Sequence, residues 1–144
     1  AWNWPPARIF MGDVGSGLLG YSFGVLAVAG EHGGGVPVFV WVILLAVFVG
    51  DATYTLFKRI IGGERWYTAH RSHAYQRAVQ VGMPHRRVTL TVLLLNVTVL
   101  LPLAALAARY PALQPWVLVL VMIGAWVMWR AVQRRWRVNS GARG

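Results

Sequence analysis

Residues 88–108 read VTLTVLLLNVTVLLPLAALAA, a run without a single charge. An α-helix needs about 20 predominantly apolar residues to cross the hydrocarbon core of a bilayer, and this run fits that length. Three further apolar runs flank it: 14–30 (VGSGLLGYSFGVLAVAG), 36–57 (VPVFVWVILLAVFVGDATYTLF) and 113–130 (LQPWVLVLVMIGAWVMWR). The first and last are shorter, and glycines weaken the first. The expected fold class is therefore all-α. The chain reads as a polytopic membrane protein with about four transmembrane helices, one membrane domain over 1–144 and no separate soluble domain.

Composition agrees. Of 144 residues 57% are hydrophobic and only 12% charged, with a mean hydropathy of +0.52, whereas soluble domains are about a quarter charged. No cysteine is present, which excludes disulfides and thiolate metal sites. The net charge of +10 raises nucleic acid as a partner, but the positions of the charges argue otherwise. Lys58, Arg59, Arg65, Arg71, Arg77, Arg86 and Arg87 lie between the second and third spans. Arg130, Arg134, Arg135, Arg137 and Arg143 follow the fourth, and Arg8 precedes the first. Only Arg109 falls on the other side. By the positive-inside rule both termini and the 58–87 loop are cytoplasmic, while the EHGGG (31–35) and RYPALQP (109–115) turns face outward. The basic tail, 131–144, reads as a lipid-facing segment that frays into disorder.

No secretory signal peptide is expected in the opening residues, which begin without methionine and run almost directly into RIFMGDVGSGLLG (8–20). It is expected to be the C-terminal part of a longer membrane protein. In that opening stretch Asp13 stands in front of an apolar helix. One reading is a helix N-cap. The other follows from its place at the cytoplasmic mouth of a membrane helix, where ionisable groups usually face the bundle interior or a watery cavity. Glycine-flanked amides and the helix N-terminus suit an anion, and a carboxylate there can hold Mg²⁺ against diphosphate oxygens. Gly15, Gly17 and Gly20 match G-x-G-x-x-G, but that fingerprint needs a preceding strand. In a membrane helix such glycines more often serve helix packing.

Asp51 shares a helical face with Tyr54 and Lys58. It reads as a salt bridge or packing contact, or as a supporting group behind a cytoplasmic site. The loop segment AHRSHAYQRAVQVGMPHRR (69–87) places His70 and His73 three apart with Arg71 and Arg77 beside them. Zinc normally takes three or four protein ligands, and neither cysteine nor a nearby acid completes a set. Two readings stay open: a grip on phosphate oxygens, or a basic loop on anionic headgroups.

Together, RIFMGDVGSGLLGYSFG (8–24), GDATYTLFKR (50–59) and HRSHAYQR (70–77) resemble the C-terminal half of the polyprenyl-phosphate N-acetylhexosamine-1-phosphate transferases, the glycosyltransferase 4 type. The loop is most similar to the O-antigen-initiating branch. The resemblance covers about Arg8 to Val88. It implies a bacterial inner-membrane enzyme, active on the cytoplasmic face, that moves an N-acetylhexosamine 1-phosphate from a UDP-sugar to undecaprenyl phosphate and releases UMP. It further implies Asp13 as the Mg²⁺ ligand and Phe10 stacked on uracil, with Gly12, Gly15 and Ser16 shaping that pocket. His70, Arg71 and His73 would lie against the diphosphate or sugar, and Asp51 would match an acid at the end of the family's penultimate conserved helix, its role left open. Expected partners are a UDP-N-acetylhexosamine, polyprenyl phosphate, membrane lipids, the missing N-terminal part of the same enzyme and a second copy in a homodimer; nucleic acid is not among them.

The family's earlier aspartate-rich motif and its asparagine–aspartate motif are absent from this chain, so alone it is expected to be inactive. Asn96 is expected to bond across helices, Pro102 to kink the third span, and Trp116, Trp126, Trp129 and Trp136 to anchor at the interface or pack. His32 and His85 read as plain loop residues. The rival reading is a non-enzymatic four-helix membrane protein, such as a small transporter subunit or scaffold. A transporter would place its polar groups near the bilayer midplane, where only Asn96 and its neighbouring threonines stand.

Overall fold

A computed structural model describes residues 12–63 and 73–141, Asp13 by its backbone alone. The elements are α1 (Gly12–His32), α2 (Val38–Leu44), α3 (Ala46–Ile61), α4 (Ala74–Gln80), α5 (His85–Leu95), a π-helical turn (Asn96–Leu100), α6 (Leu101–Arg109), a 3₁₀ turn (Pro111–Leu113) and α7 (Gln114–Gly141). No strand occurs among the described residues. Three helical stretches are long and apolar enough to cross a membrane: Val14–His32, His85–Arg109 and Pro111–Ser140. The chain is an all-α membrane protein.

The second expected span, 36–57, is not one straight helix. It breaks at Leu45, and α2 and α3 meet at 76°. Neither proline nor glycine marks the break. Its cause is tertiary, because the two halves have different partners: α2 packs on α6 and α7, and α3 lies along α7. Ile43 and Ala46, on either side of the bend, are both 0% exposed. Only as a pair do α2 and α3 amount to a span.

The core collects Val40, Ile43, Ala46, Val47, Leu100, Ala104, Val117 and Val121 around the apolar half of α7. By contrast α1 leans on the bundle through its C-terminal end. Phe23 meets Trp41 with ring centroids 6.5 Å apart, and Glu31 accepts the Val38 N–H at 2.6 Å, which serves a donor left over at the start of α2. Along the rest of α1, Val14, Leu18 and Tyr21 are exposed, as a lipid-facing helix requires. A Cβ at Gly17 or Gly20 would meet nothing within 4 Å, so among the described residues these two glycines make no close helix contact.

Two other expectations change. The basic tail is helical, not frayed, as far as Gly141. Asn96 makes no bond across helices among the described residues; its Nδ2 donates to Val92 O at 2.9 Å on its own helix. The third span passes Pro102 within a 25-residue stretch and is irregular one turn before it, where the Leu101 N–H donates to the Asn96 carbonyl in π register.

A close crossing joins α3 to α7. A Cβ at Gly50 would lie 3.0 Å from Ala125 Cβ and 3.3 Å from Tyr54 Cε2, the close approach that small residues permit between membrane helices. Substituting Gly50→Leu overpacks this contact at a cost of about 1–3 kcal/mol. Thermal unfolding in detergent should rank wild type above Gly50→Ala and Gly50→Ala above Gly50→Leu; equal midpoints would refute the crossing.

Candidate functional site

The polar half of α3 begins directly after Gly50. Asp51 is mostly buried, with its side chain 14% exposed, and so needs partners. Its Oδ1 accepts the Thr55 hydroxyl at 3.2 Å and the backbone N–H of Ala74 at 2.7 Å. Ala74 is the first residue of α4, so Asp51 satisfies from another helix a donor that the start of α4 cannot satisfy internally. The same Oδ1 lies 3.7 Å from His73 Nδ1. Thr55 in turn accepts from Trp129 Nε1 at 3.1 Å. One carboxylate thereby links α3, α4 and α7.

His73 sits at the N-terminal boundary of α4, where its backbone N–H donates to Gln76 Oε1 at 3.3 Å. Its ring stacks on Tyr75 with centroids 5.9 Å apart and remains 29% exposed. Behind it α4 is clamped to α7. Arg77 donates through Nη1 to Gln133 Oε1 and lies 4.0 Å from the Trp136 ring, while Trp136 Nε1 donates to Gln80 Oε1 at 2.7 Å. Lys58 Nζ reaches the same Gln133 oxygen at 3.5 Å. The face shared by Asp51, Tyr54 and Lys58 is therefore an inter-helix contact surface rather than an Asp51–Lys58 pair. Tyr54 donates to Met122 O at 2.8 Å, Asp51 turns to α4 and Lys58 to α7.

At the other part of the expected site, Asp13 falls within the first turn of α1, next to Gly12, whose φ of +68° suits a residue without a Cβ. Ser16 Oγ donates back to Gly12 O at 3.0 Å, and Gly15 is half-buried. Phe10, His70 and Arg71 lie outside the described residues. Among the described residues no three His, Asp or Glu side chains converge as a metal cage. The sequence singled out Asp51 and His73 separately. What it missed is their contact, together with Thr55, Trp129 and Gln133; the only available signal was that polar residues this deep in an apolar run must find partners.

Residues 1–31 match the family model described as glycosyl transferase family 4. Over 98 residues the chain is 34% identical to a Bacillus subtilis (strain 168) protein named "Probable undecaprenyl-phosphate N-acetylglucosaminyl 1-phosphate transferase", a match that takes in 66% of this chain and 27% of that protein. The chain thus spans about a quarter of the length of the curated relative it matches. No solved structure matches it.

The Asp51–Ala74 bond carries a measurable consequence. In Asp51→Ala the first amide of α4 loses its acceptor, and the loss of a cap costs about 0.5–2 kcal/mol. Amide hydrogen exchange across residues 74–80 should accelerate roughly 2- to 30-fold, with a smaller change in Asp51→Asn, which keeps a carbonyl oxygen. Unchanged exchange in Asp51→Ala would show that α4 stands without this cap.

Proposed function

We propose, from the glycosyl transferase family 4 sequence carried by residues 1–31, that this chain contributes to an enzyme moving an N-acetylhexosamine 1-phosphate from a UDP-sugar to undecaprenyl phosphate, with release of UMP. The observation that carries the reading is the histidine segment's attachment: Asp51 holds the start of α4 at 2.7 Å, fixing His73 beside it. The helix order turns the N-terminus of α1, and with it Asp13, to the same basic face. We take that face to be cytoplasmic on the distribution of Lys and Arg, and the membrane to be the bacterial inner membrane.

Transfer of a phosphoryl group rests on positioning and electrostatic stabilisation. In this reading Asp13 and Mg²⁺ meet the diphosphate. The residues present fit a Mg²⁺ site rather than a cage, since Mg²⁺ typically takes one or two carboxylates and completes its shell with water and substrate phosphates. Bound there, the ion would supply charge neutralisation. The chain's own residues do the rest: His73, with His70 and Arg71, faces the phosphate oxygens, Phe10 takes the uracil, and Gly12, Gly15 and Ser16 give the first turn of α1 its small profile. The remaining pocket, including the second acidic motif, belongs to sequence outside this chain. We place the product at the start of an O-antigen-like envelope polysaccharide.

The non-enzymatic alternative drew on Asn96 and its neighbouring threonines. Asn96 and Thr98, the polar groups nearest the midplane, bond to Val92 O and Leu94 O of their own helix at 2.9 and 2.8 Å. They present no built substrate site there.

The deciding assay uses membranes carrying this chain together with the N-terminal half of a relative, Mg²⁺, undecaprenyl phosphate and a panel of UDP-N-acetylsugars. UMP release should fall about 100-fold or more in Asp13→Asn, roughly 3 kcal/mol of barrier, and the productive sugar names the donor. Release that survives the substitution would reduce Asp13 to a helix-terminal acid. No release with any sugar, from a demonstrably folded pair, would favour the scaffold reading.

A further inference from the structure

A second polar feature stands apart from the Asp51–His73 contact. Between the C-terminal halves of α3 and α7 lies a half-open cleft of about 350 Å³. Four cations line it: Lys58 from α3, and Arg130, Arg134 and Arg137 from α7. The three arginines are spaced i, i+4 and i+7 and so share one helical face. Among the described residues no carboxylate lines the cleft, and none of the three arginines pairs with an acid. Like charges at i, i+4 repel, so the arrangement is one that an anion would relieve. Trp126 and Trp129 brace the cations from the apolar side, with Arg130 5.3 Å from the Trp126 ring and Lys58 6.0 Å from the Trp129 ring.

The surroundings say what kind of anion. An apolar groove of about 390 Å³ runs on from the cleft along α7, sharing Tyr54 and Trp126 with it and lined otherwise by Leu118, Val119, Met122 and Ile123. The Tyr54 hydroxyl there is spent on Met122 O at 2.8 Å. From Leu118 to Arg130 the helix rises about 18 Å at 1.5 Å per residue, close to the roughly 15 Å of one leaflet of a 30 Å hydrocarbon core. Arg130 is also the first charged residue of α7, and Trp126 and Trp129 stand at the level where interfacial aromatics gather. A soluble phosphate would use only the cations; an amphiphile uses both halves.

We propose that this paired cleft and groove bind one anionic phospholipid, with its phosphate among Lys58, Arg130, Arg134 and Arg137 and one acyl chain along the Leu118–Trp126 stripe of α7. The assignment rests on the membrane-spanning character of α7 and not on the transferase reading.

The test titrates the purified chain in mild detergent with phosphatidylglycerol and with phosphatidylcholine, and counts bound lipid by native mass spectrometry. Wild type should prefer phosphatidylglycerol at least tenfold. The triple variant Arg130→Gln, Arg134→Gln, Arg137→Gln should lose that preference, while the charge-matched triple Arg86→Gln, Arg87→Gln, Arg135→Gln, outside the cleft, should keep it. Because the wild-type preference is read without any substitution, a triple variant that misfolds leaves the proposal exposed to refutation. Equal binding of the two lipids, or equal loss in both triples, would overturn it. Displacement of bound phosphatidylglycerol by inorganic phosphate would reduce the site to a headgroup pocket and overturn the lipid assignment. Tighter binding of undecaprenyl phosphate than of phosphatidylglycerol would transfer the cleft to the lipid carrier and overturn it likewise.

Discussion

A single carboxylate oxygen organises the basic end of this bundle. Asp51 Oδ1 takes the Ala74 amide and the Thr55 hydroxyl, and Thr55, 1% exposed, passes the connection to the Trp129 indole. In water each of these groups would be solvated at no cost. At the margin of an apolar bundle an unpaired one carries a penalty of a few kcal/mol, so the three helices close around the acid or leave several donors orphaned together. That shared dependence makes a seven-residue helix, α4, a fixed part of the fold, although a helix that short is marginal on its own.

The bend at Leu45 is what makes the contact possible. Were α2 and α3 collinear, the polar half of α3 would continue along the axis set by the packing of α2 on α6. At 76° it instead lies along α7, where Gly50 allows Ala125 to approach closely. Tyr54, Thr55 and Lys58 then meet successive levels of α7 at Met122, Trp129 and Gln133. The apolar half of α7 packs the core and its basic half receives α3 and α4, so the charged C-terminal stretch acts as a structural wall.

The apolar runs made the class of fold readable, because the length of a span is set by the bilayer and appears in sequence as uninterrupted hydrophobicity. The bend did not appear, since Leu44, Leu45 and Ala46 carry no breaker and the cause lies in which neighbour each half packs on. The helical tail was hidden for a related reason: its arginines look solvent-bound until Arg77 and Gln80 of α4 supply partners for Trp136. Asp51 was visible as an acid sharing a face with Tyr54 and Lys58. Its decisive partner stands 23 positions away, beyond anything that helical spacing can report. The loop histidine was likewise visible as a residue, and its attachment was not.

In the middle of the bilayer the polar groups of this chain turn back on their own helix. Pro102 offers no N–H, so an ideal α-helix would leave the Thr98 carbonyl without its usual donor. The register instead slips at Asn96–Leu100, with the Leu101 amide reaching Asn96 O, while the side chains of Asn96 and Thr98 turn back to Val92 and Leu94. Polar groups at that depth are thereby spent on their own helix, as the absence of water demands. At the basic end Asp51 is satisfied across helices by the Ala74 amide, while the His73 side chain beside it stays part-exposed.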